Sequence, residues 1–245
     1  MQDFLRGAGR ALRDLYPKGL SLFWLAPFVL ALVVVPEFLQ HVAEIRLGMF
    51  ESREAFTAFA EDPTRMAFGY VKIAGLVLTF LASARFWWTR EHGGHWANPG
   101  TIAWGRLLLG LLLFMAVPVL PDLVKGRVEP WLYHASVWGL MLLMLPMLFL
   151  LLAGLFGDRQ TPAAAMWRRA WPWVLLTAVL VALAFGPAQW LHGMNHRWAL
   201  GASPVLLWAL MIFDSLLVGL LAGLTGTALF LGYRAFYESE ARRRL

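Results

Sequence analysis

"PVLLWALMIFDSLLVGLLAGLTGTALFLG" occupies residues 204–232, and its 29 residues contain one charged side chain, Asp214. About 20 consecutive apolar residues are enough for a helix to cross a bilayer. Ser203 and Pro204 supply an N-cap residue and a proline at the first helical position, a pair typical of helix starts. The stretch therefore predicts a transmembrane helix that carries one carboxylate inside it.

Small residues recur every four positions along this predicted helix. The stripe consists of Ser215, Gly219, Gly223 and Thr227, with Ala222 and Gly226 alongside. Small side chains let the backbones of membrane helices approach closely. We expect this face to pack against another helix, either within the same chain or in a partner chain.

Five further apolar blocks extend the same prediction along the chain. They run over residues 20–39, 67–88, 102–120, 131–156 and 172–191. Of the 245 residues, 60% are hydrophobic and only 15% are charged, against about 25% charged in soluble domains. We therefore predict an all-α fold, a single integral membrane domain over 1–245 with six transmembrane helices. The chain has no cysteine, which excludes disulfides and thiolate metal sites.

The segments outside the blocks are predicted to lie on the membrane surface. Residues 1–18 combine an apolar stripe with a basic one, formed by Arg6, Arg10 and Arg13. That pattern favours an amphipathic helix on the membrane, with the arginines on anionic lipid headgroups. A short surface helix is expected over 163–170 and a longer one over 43–60 on the outer side, and residues 233–245 form a cytoplasmic tail.

The distribution of basic residues predicts the orientation. Fourteen of the 21 lysines and arginines lie in the terminal segments and alternate loops, and six lie on the opposite side. The positive-inside rule then places both termini on the cytoplasmic side of a bacterial-type inner (plasma) membrane. We interpret the net charge of +6 as contact with anionic lipid on the cytoplasmic side, so no nucleic-acid partner is predicted.

Histidine pairs raise the question of a metal site. The stretch "RFWWTREHGGHWANPG", residues 85–100, places His92 and His95 in the predicted cytoplasmic turn, while His192 and His196 end the fifth block on the other side. The membrane separates the pairs, and a metal site needs three or four ligands of fixed geometry. We therefore predict solvated loop histidines with no metal and no cofactor, and we interpret His41 as an interfacial polar group.

Charged residues within the predicted spans have expected depths. Asp214 lies ten residues beyond Pro204 and hence ~15 Å deep, whereas Lys72 lies only ~7 Å deep in its span. Because helical side chains lean toward the N-terminus, Lys72 should approach Glu37, late in the first span. Asp214 should then lack a salt-bridge partner and be protonated near pH 7.

The chain layout resembles that of a known group of proteins. The last span runs into "YRAFYESEARRRL", with Tyr233-Arg234 and Tyr237 as the local motif. With the basic N-terminus and the six blocks, this layout resembles the bacterial YciC-like membrane proteins and the membrane domain of some glycerophosphodiesterases. The resemblance implies an inner-membrane protein and assigns no functional residue.

The sequence favours a non-catalytic role. No nucleotide-binding loop, HExxH, GxSxG or paired-carboxylate motif is present, so no catalytic or cofactor-binding residue is predicted. We expect an accessory or scaffold subunit of a membrane complex, or a lipid-handling protein, with a membrane-protein partner or a second copy as its assembly. The second hypothesis is a small-molecule or lipid transporter that uses Lys72 and Asp214. The third is an intramembrane lipid enzyme.

Overall fold

A computed structural model describes residues 2–122 and 125–244 of the chain. All regular structure in these residues is helical. The helices are α1 (Gln2–Leu25), α2 (Pro27–Arg46), α3 (Arg53–Ala58), α4 (Pro63–His92), α5 (Trp104–Asp122), α6 (Pro130–Met144), α7 (Met147–Phe156), α8 (Ala163–Arg169), α9 (Trp171–Ala199) and α10 (Pro204–Arg242). Met1 of the predicted surface helix and Leu245 of the predicted tail lie outside the described residues.

Four helices are long and apolar enough to cross a membrane: α2, α4, α9 and α10. The pair α6 and α7 meets the same criteria as one broken span with a bend of 40°, at a break containing Pro146. The apolar part of α5 that the structure describes, Trp104–Phe114, is shorter than these spans. The predicted third span also covers the side chains of Met115, Val117 and Pro118, which lie outside the described part of the chain. The chain is thus all-helical, with four or five candidate spans in the described residues.

The first predicted span differs from the observed helices. The sequence places a boundary near residue 19, whereas α1 continues to Leu25 and the break falls at Ala26. Pro27 begins α2 at the first helical position, where its missing N–H leaves no hydrogen bond unmade. At its other end, α2 continues to Arg46, seven residues beyond the predicted end of the span at residue 39.

The chain divides into two compact units. The first contains Met1–Arg10, Trp88–Ala178 and Phe230–Leu245, and the second contains Ala11–Trp87 and Val179–Leu229. In the first unit, the Oδ1 of Asp158 accepts the backbone N–H groups of Gln160 and Thr161, and Oδ2 accepts the Tyr233 hydroxyl at 2.7 Å. Arg106 donates to the carbonyl oxygens of Asp158 and Thr161. These bonds fix the chain reversal between α7 and α8.

In the second unit, glycines set the distances between helices. A Cβ on Gly75 of α4 would collide with the carbonyl oxygen of Leu32 in α2, and one on Gly226 of α10 would meet the carbonyl oxygen of Phe80 in α4. Gly219 faces Val34 across the α2–α10 contact. The backbones of α2, α4 and α10 are therefore close, and polar side chains on these helices reach one another without long spacers.

Candidate metal centre

Three ionisable residues lie on one face of α2. Glu37, His41 and Glu44 are spaced by four and three residues, the spacing that aligns side chains along a helix. Their side chains are at most 1% exposed. Because α2 continues beyond the apolar run, His41 and Glu44 are helical and buried in the second unit.

Asp214 of α10 lies at the middle of three imidazoles. Its Oδ2 is 3.1 Å from His41 Nε2, 2.8 Å from His192 Nδ1 and 3.4 Å from His196 Nε2. His192 and His196 are one turn apart on α9, so both rings point the same way. Asp214 is fully buried, and both α9 histidines are less than one-fifth exposed.

The far nitrogen of His41 is held by a second carboxylate. Glu44 Oε2 lies 3.0 Å from His41 Nδ1. Glu44 Oε1 accepts hydrogen bonds of 3.0 Å each from Arg65 Nε and Gln40 Nε2. When the Nδ1–H of a neutral imidazole donates to Glu44, the Nε2 lone pair points toward Asp214 and toward Glu37 Oε1, which is 3.3 Å away. A carboxylate that orients an imidazole in this way is typical of histidine metal ligands.

Several buried polar atoms of this cluster lack a hydrogen-bond partner among the described residues. They include Oδ1 of Asp214, Oε2 of Glu37 and Nδ1 of His196. Lys72 Nζ approaches Glu37 Oε2 at 3.4 Å, which leaves the carboxylate ion-paired although this oxygen accepts no hydrogen bond. A buried polar atom without a partner is costly, so the cluster is better satisfied with a further group bound inside it.

The geometry fits a divalent transition-metal ion. Two sets of three side chains each bring one ligand atom within 4.8 Å of the others, namely His41, His196 and Asp214, and Glu37, His192 and Asp214. Around a tetrahedral ion with bonds of ~2.0–2.1 Å, neighbouring ligand atoms lie about 3.3 Å apart. The distances from Asp214 Oδ2 to the three imidazoles, 2.8 to 3.4 Å, are close to that separation. Imidazole and carboxylate together suit zinc, iron or manganese.

A cavity of about 860 Å³ adjoins the centre. Its lining includes His192, His196 and Glu44, so the cavity reaches the cluster directly. Gln40 and four cationic residues also line it: Arg53, Arg65, Lys72 and Arg197. The centre is thus accessible from one side and buried on the others.

The structure corrects three expectations about these residues. His41 is buried and is not an interfacial group, and His192 and His196 are not solvated loop residues. Asp214 does have ionisable partners, because the three imidazoles surround it. Lys72 does approach Glu37, as their depths along the helices predict, at 3.4 Å. The physical reason for the error is that the histidines come from α2 and α9, whose convergence on α10 depends on tertiary packing.

The other predicted residues lie elsewhere. His92 stacks on Trp88 with ring centroids 3.8 Å apart, and the exposed His95 accepts the Ala97 N–H. Neither belongs to a metal-binding group of the described residues. In α1, Arg10 pairs with Glu238 at 2.8 Å, and Arg6 and Arg13 are exposed.

The small residues on α10 are all buried. Ala222 packs with Val33 and Val218. Gly223 faces Leu22 and Leu30, and Ser215 and Thr227 donate their hydroxyls to carbonyl oxygens four residues earlier. The stripe thus lies at helix contacts within this chain, on the same helix as Asp214.

Sequence reasoning missed His41, Glu44, His192 and His196 as one site. A signal was available: Glu37-x3-His41-x2-Glu44 and His192-x3-His196 each place polar ligands on one helical face. The spacing on α2 was not interpreted as one helical face, because the helix was expected to end with the apolar run at residue 39.

Comparisons of the chain with protein-family models, with curated proteins and with solved structures find no match. The similarity to the YciC-like layout therefore stays a prediction.

Proposed function

We propose that this chain is a multi-pass membrane protein that binds a divalent transition-metal ion between α2, α9 and α10. One observation carries the proposal: His41 Nδ1 lies on Glu44 while its Nε2 faces Asp214 and Glu37. Among the described residues, Glu44 is itself oriented by Arg65 and Gln40. A carboxylate that holds an imidazole for a metal is a costly arrangement to bury without the metal.

The proposed membrane arrangement has six spans with both termini in the cytoplasm. Four of these spans are supported by α2, α4, α9 and α10, and a fifth by the α6–α7 pair, while the sixth rests on the apolar run of residues 102–120. The excess of basic residues on one side of the chain supports the orientation. The centre uses the ends of α2 and α9 and the starts of α4 and α10, which puts it in the outer half of the bilayer. Arg6 and Arg13 remain candidates for contact with anionic lipid on the inner face.

A metal centre adds a specific activity, metal binding, to the functional hypotheses. The cavity at His192 and His196 gives the ion an open side, a property of metal sites that act on a ligand, whereas structural sites are closed. A role as an accessory or lipid-handling protein remains compatible, with the metal joining three helices. The transporter hypothesis is the second candidate, supported by the same cluster, because a proton on His41 satisfies both Glu44 and Asp214.

Elemental analysis of the protein purified in mild detergent tests the proposal. We expect about one equivalent of a transition metal per chain, retained through dialysis and restored by zinc or manganese after chelation. His41→Ala and His196→Ala should each lower the affinity at least 10-fold, with His95→Ala as the matched control. Gel filtration and thermal unfolding report whether the variants fold.

The opposite result is also defined. A folded wild-type protein that holds no ion, even after reloading with zinc, manganese or iron, contradicts the metal centre. Proton flux through liposomes containing this metal-free protein would favour the second candidate, and His41→Ala should then abolish that flux.

A further inference from the structure

We infer that the cavity beside the centre binds a phosphate-bearing anion. The inference rests on the proposed function in one respect, because the bound metal ion would be one contact of the anion. The other contacts come from side chains of the second unit. The cavity volume of about 860 Å³ lies within the ~300–1,000 Å³ typical of small-molecule sites.

The lining has more positive than negative charge. Of its four cationic residues, Arg65 pairs with Glu44 at 3.0 Å and Lys72 pairs with Glu37 at 3.4 Å. Arg53 and Arg197 line the same cavity, and neither forms a salt bridge with any carboxylate of the described residues. Two arginines without a salt bridge are therefore left at the mouth, beside a centre in which the two positive charges of a bound divalent ion outweigh the one negative charge of Asp214.

Two arginines without a salt bridge match a dianion. A phosphate monoester carries about −1.5 to −2 charges at pH 7, and guanidinium groups bind its oxygens in a fixed bidentate geometry. Arg53 comes from α3 and Arg197 from the last turns of α9, so the two belong to separate elements that face one space. A monocarboxylate supplies only one charge and leaves one of the two arginines without an ion-pair partner.

The remaining lining fits an organic group attached to the phosphate. Phe56 and Leu200 contribute apolar surface, and Gly193 leaves room beside His192. The cavity lies where α2 and α9 end and α4 begins. Under the proposed topology this is the level of the outer headgroups. A lipid headgroup and a soluble phosphate ester present the same chemistry at that level.

Isothermal titration of the purified protein with inorganic phosphate tests the inference. We expect saturable binding, with acetate at least 10-fold weaker. A hydrogen bond to a charged group contributes ~1.5–3 kcal/mol, so Arg53→Gln and Arg197→Gln should each weaken phosphate binding about 10- to 100-fold. Arg46→Gln is the matched control, since Arg46 is an exposed arginine at the same end of α2 and lines a different cavity. Unchanged binding in both variants, or no binding of phosphate by the wild type, overturns the inference.

Nanodiscs distinguish the two sources of phosphate. If the ligand is a lipid headgroup, phosphatidic acid in phosphatidylcholine discs should compete with inorganic phosphate, and Arg197→Gln should remove the competition. If the ligand is soluble, the affinity for inorganic phosphate should be the same in discs with phosphatidic acid and in discs of phosphatidylcholine alone.

The metal content of the same samples separates the two proposals. Wild type that binds metal but no phosphate refutes the anion site alone. Wild type that binds phosphate without metal refutes the metal centre alone. Arg53→Gln and Arg197→Gln should retain the ion, since neither side chain is in a ligand set of the described residues.

Discussion

His41 Nε2 lies 3.1 Å from Asp214 Oδ2, although 173 positions separate the two residues in the chain. Both side chains are at most 1% exposed. A contact between groups that can ligate a metal, buried among apolar helices, is unusual because unpaired charge is expensive there. It makes α2 and α10 parts of one site.

Removal of the orienting carboxylate should weaken metal binding. In Glu44→Gln, a neutral amide replaces the carboxylate that faces His41 Nδ1. Loss of such a partner typically lowers metal affinity about 10- to 100-fold. Competition with a chelator measures the change. Glu61→Gln is the control, since Glu61 is exposed. Equal affinity in the two variants would show that Glu44 does not hold His41 for a metal.

Asp214→Leu should destabilise the fold more than Asp214→Asn. Leucine removes the oxygen that faces His192 Nδ1 at 2.8 Å, and a buried N–H left without an acceptor costs ~1–3 kcal/mol, whereas asparagine keeps one oxygen. Thermal unfolding of metal-free protein gives the comparison, and Ile212→Ala, at a half-exposed position on the same helix, serves as the control. A Leu variant as stable as the Asn variant would remove the argument that Asp214 satisfies the histidines.

Gly75→Ala should destabilise the second unit by about 1–3 kcal/mol, because its methyl group would force apart the backbones of α2 and α4. The added carbon has no room beside the Leu32 carbonyl oxygen, while a carbon on Gly69 of the same helix meets nothing within 4 Å. Gly69→Ala should therefore be neutral or stabilise by up to ~1 kcal/mol. Denaturation in mild detergent compares the pair, and similar stabilities would contradict the close approach.

Acid should destabilise the first unit through Asp158. Burial alone raises the pKa of this carboxyl, but hydrogen bonds from Thr161 and Tyr233 outweigh it, so its pKa lies below the ordinary 3.8. A depressed folded-state pKa means that the stabilisation is complete above the unfolded-state pKa and is lost as pH falls through the folded-state value. Asp158→Asn should remove this part of the acid sensitivity in pH-dependent unfolding, and the exposed Glu129→Gln should not. An unchanged acid profile in Asp158→Asn would contradict it.

The orientation can be tested by cysteine labelling, since the natural chain has no cysteine. In intact cells, an impermeant maleimide should label Glu61→Cys and leave His95→Cys unlabelled until the membrane is opened. Both positions are exposed, so access depends on the membrane side alone. Labelling of His95→Cys from outside would reverse the proposed topology.

Hydropathy predicts most of the helices because burial in lipid or in a core requires long apolar runs. It predicts the approach of Lys72 to Glu37 as well, since both depths follow from the rise of a helix. It does not predict the extent of α2, whose polar end stays helical because Asp214 contacts His41 and Arg65 pairs with Glu44. Nor does it resolve 131–156 into two helices, because proline within a membrane helix can either bend it or break it.

The two ion pairs around the centre have consequences for biosynthesis. Glu44 and Arg65 are 21 positions apart, and Glu37 and Lys72 are 35 apart, so each pair is complete soon after α4 leaves the ribosome. At ~5–20 residues per second, Asp214 follows His41 by roughly 9–35 s. During that interval Glu37 and Glu44 of α2 are already neutralised by α4, the helix synthesised soon after them. The pairing of α2 with α4 therefore neutralises Glu37 and Glu44 well before α9 and α10 complete the centre.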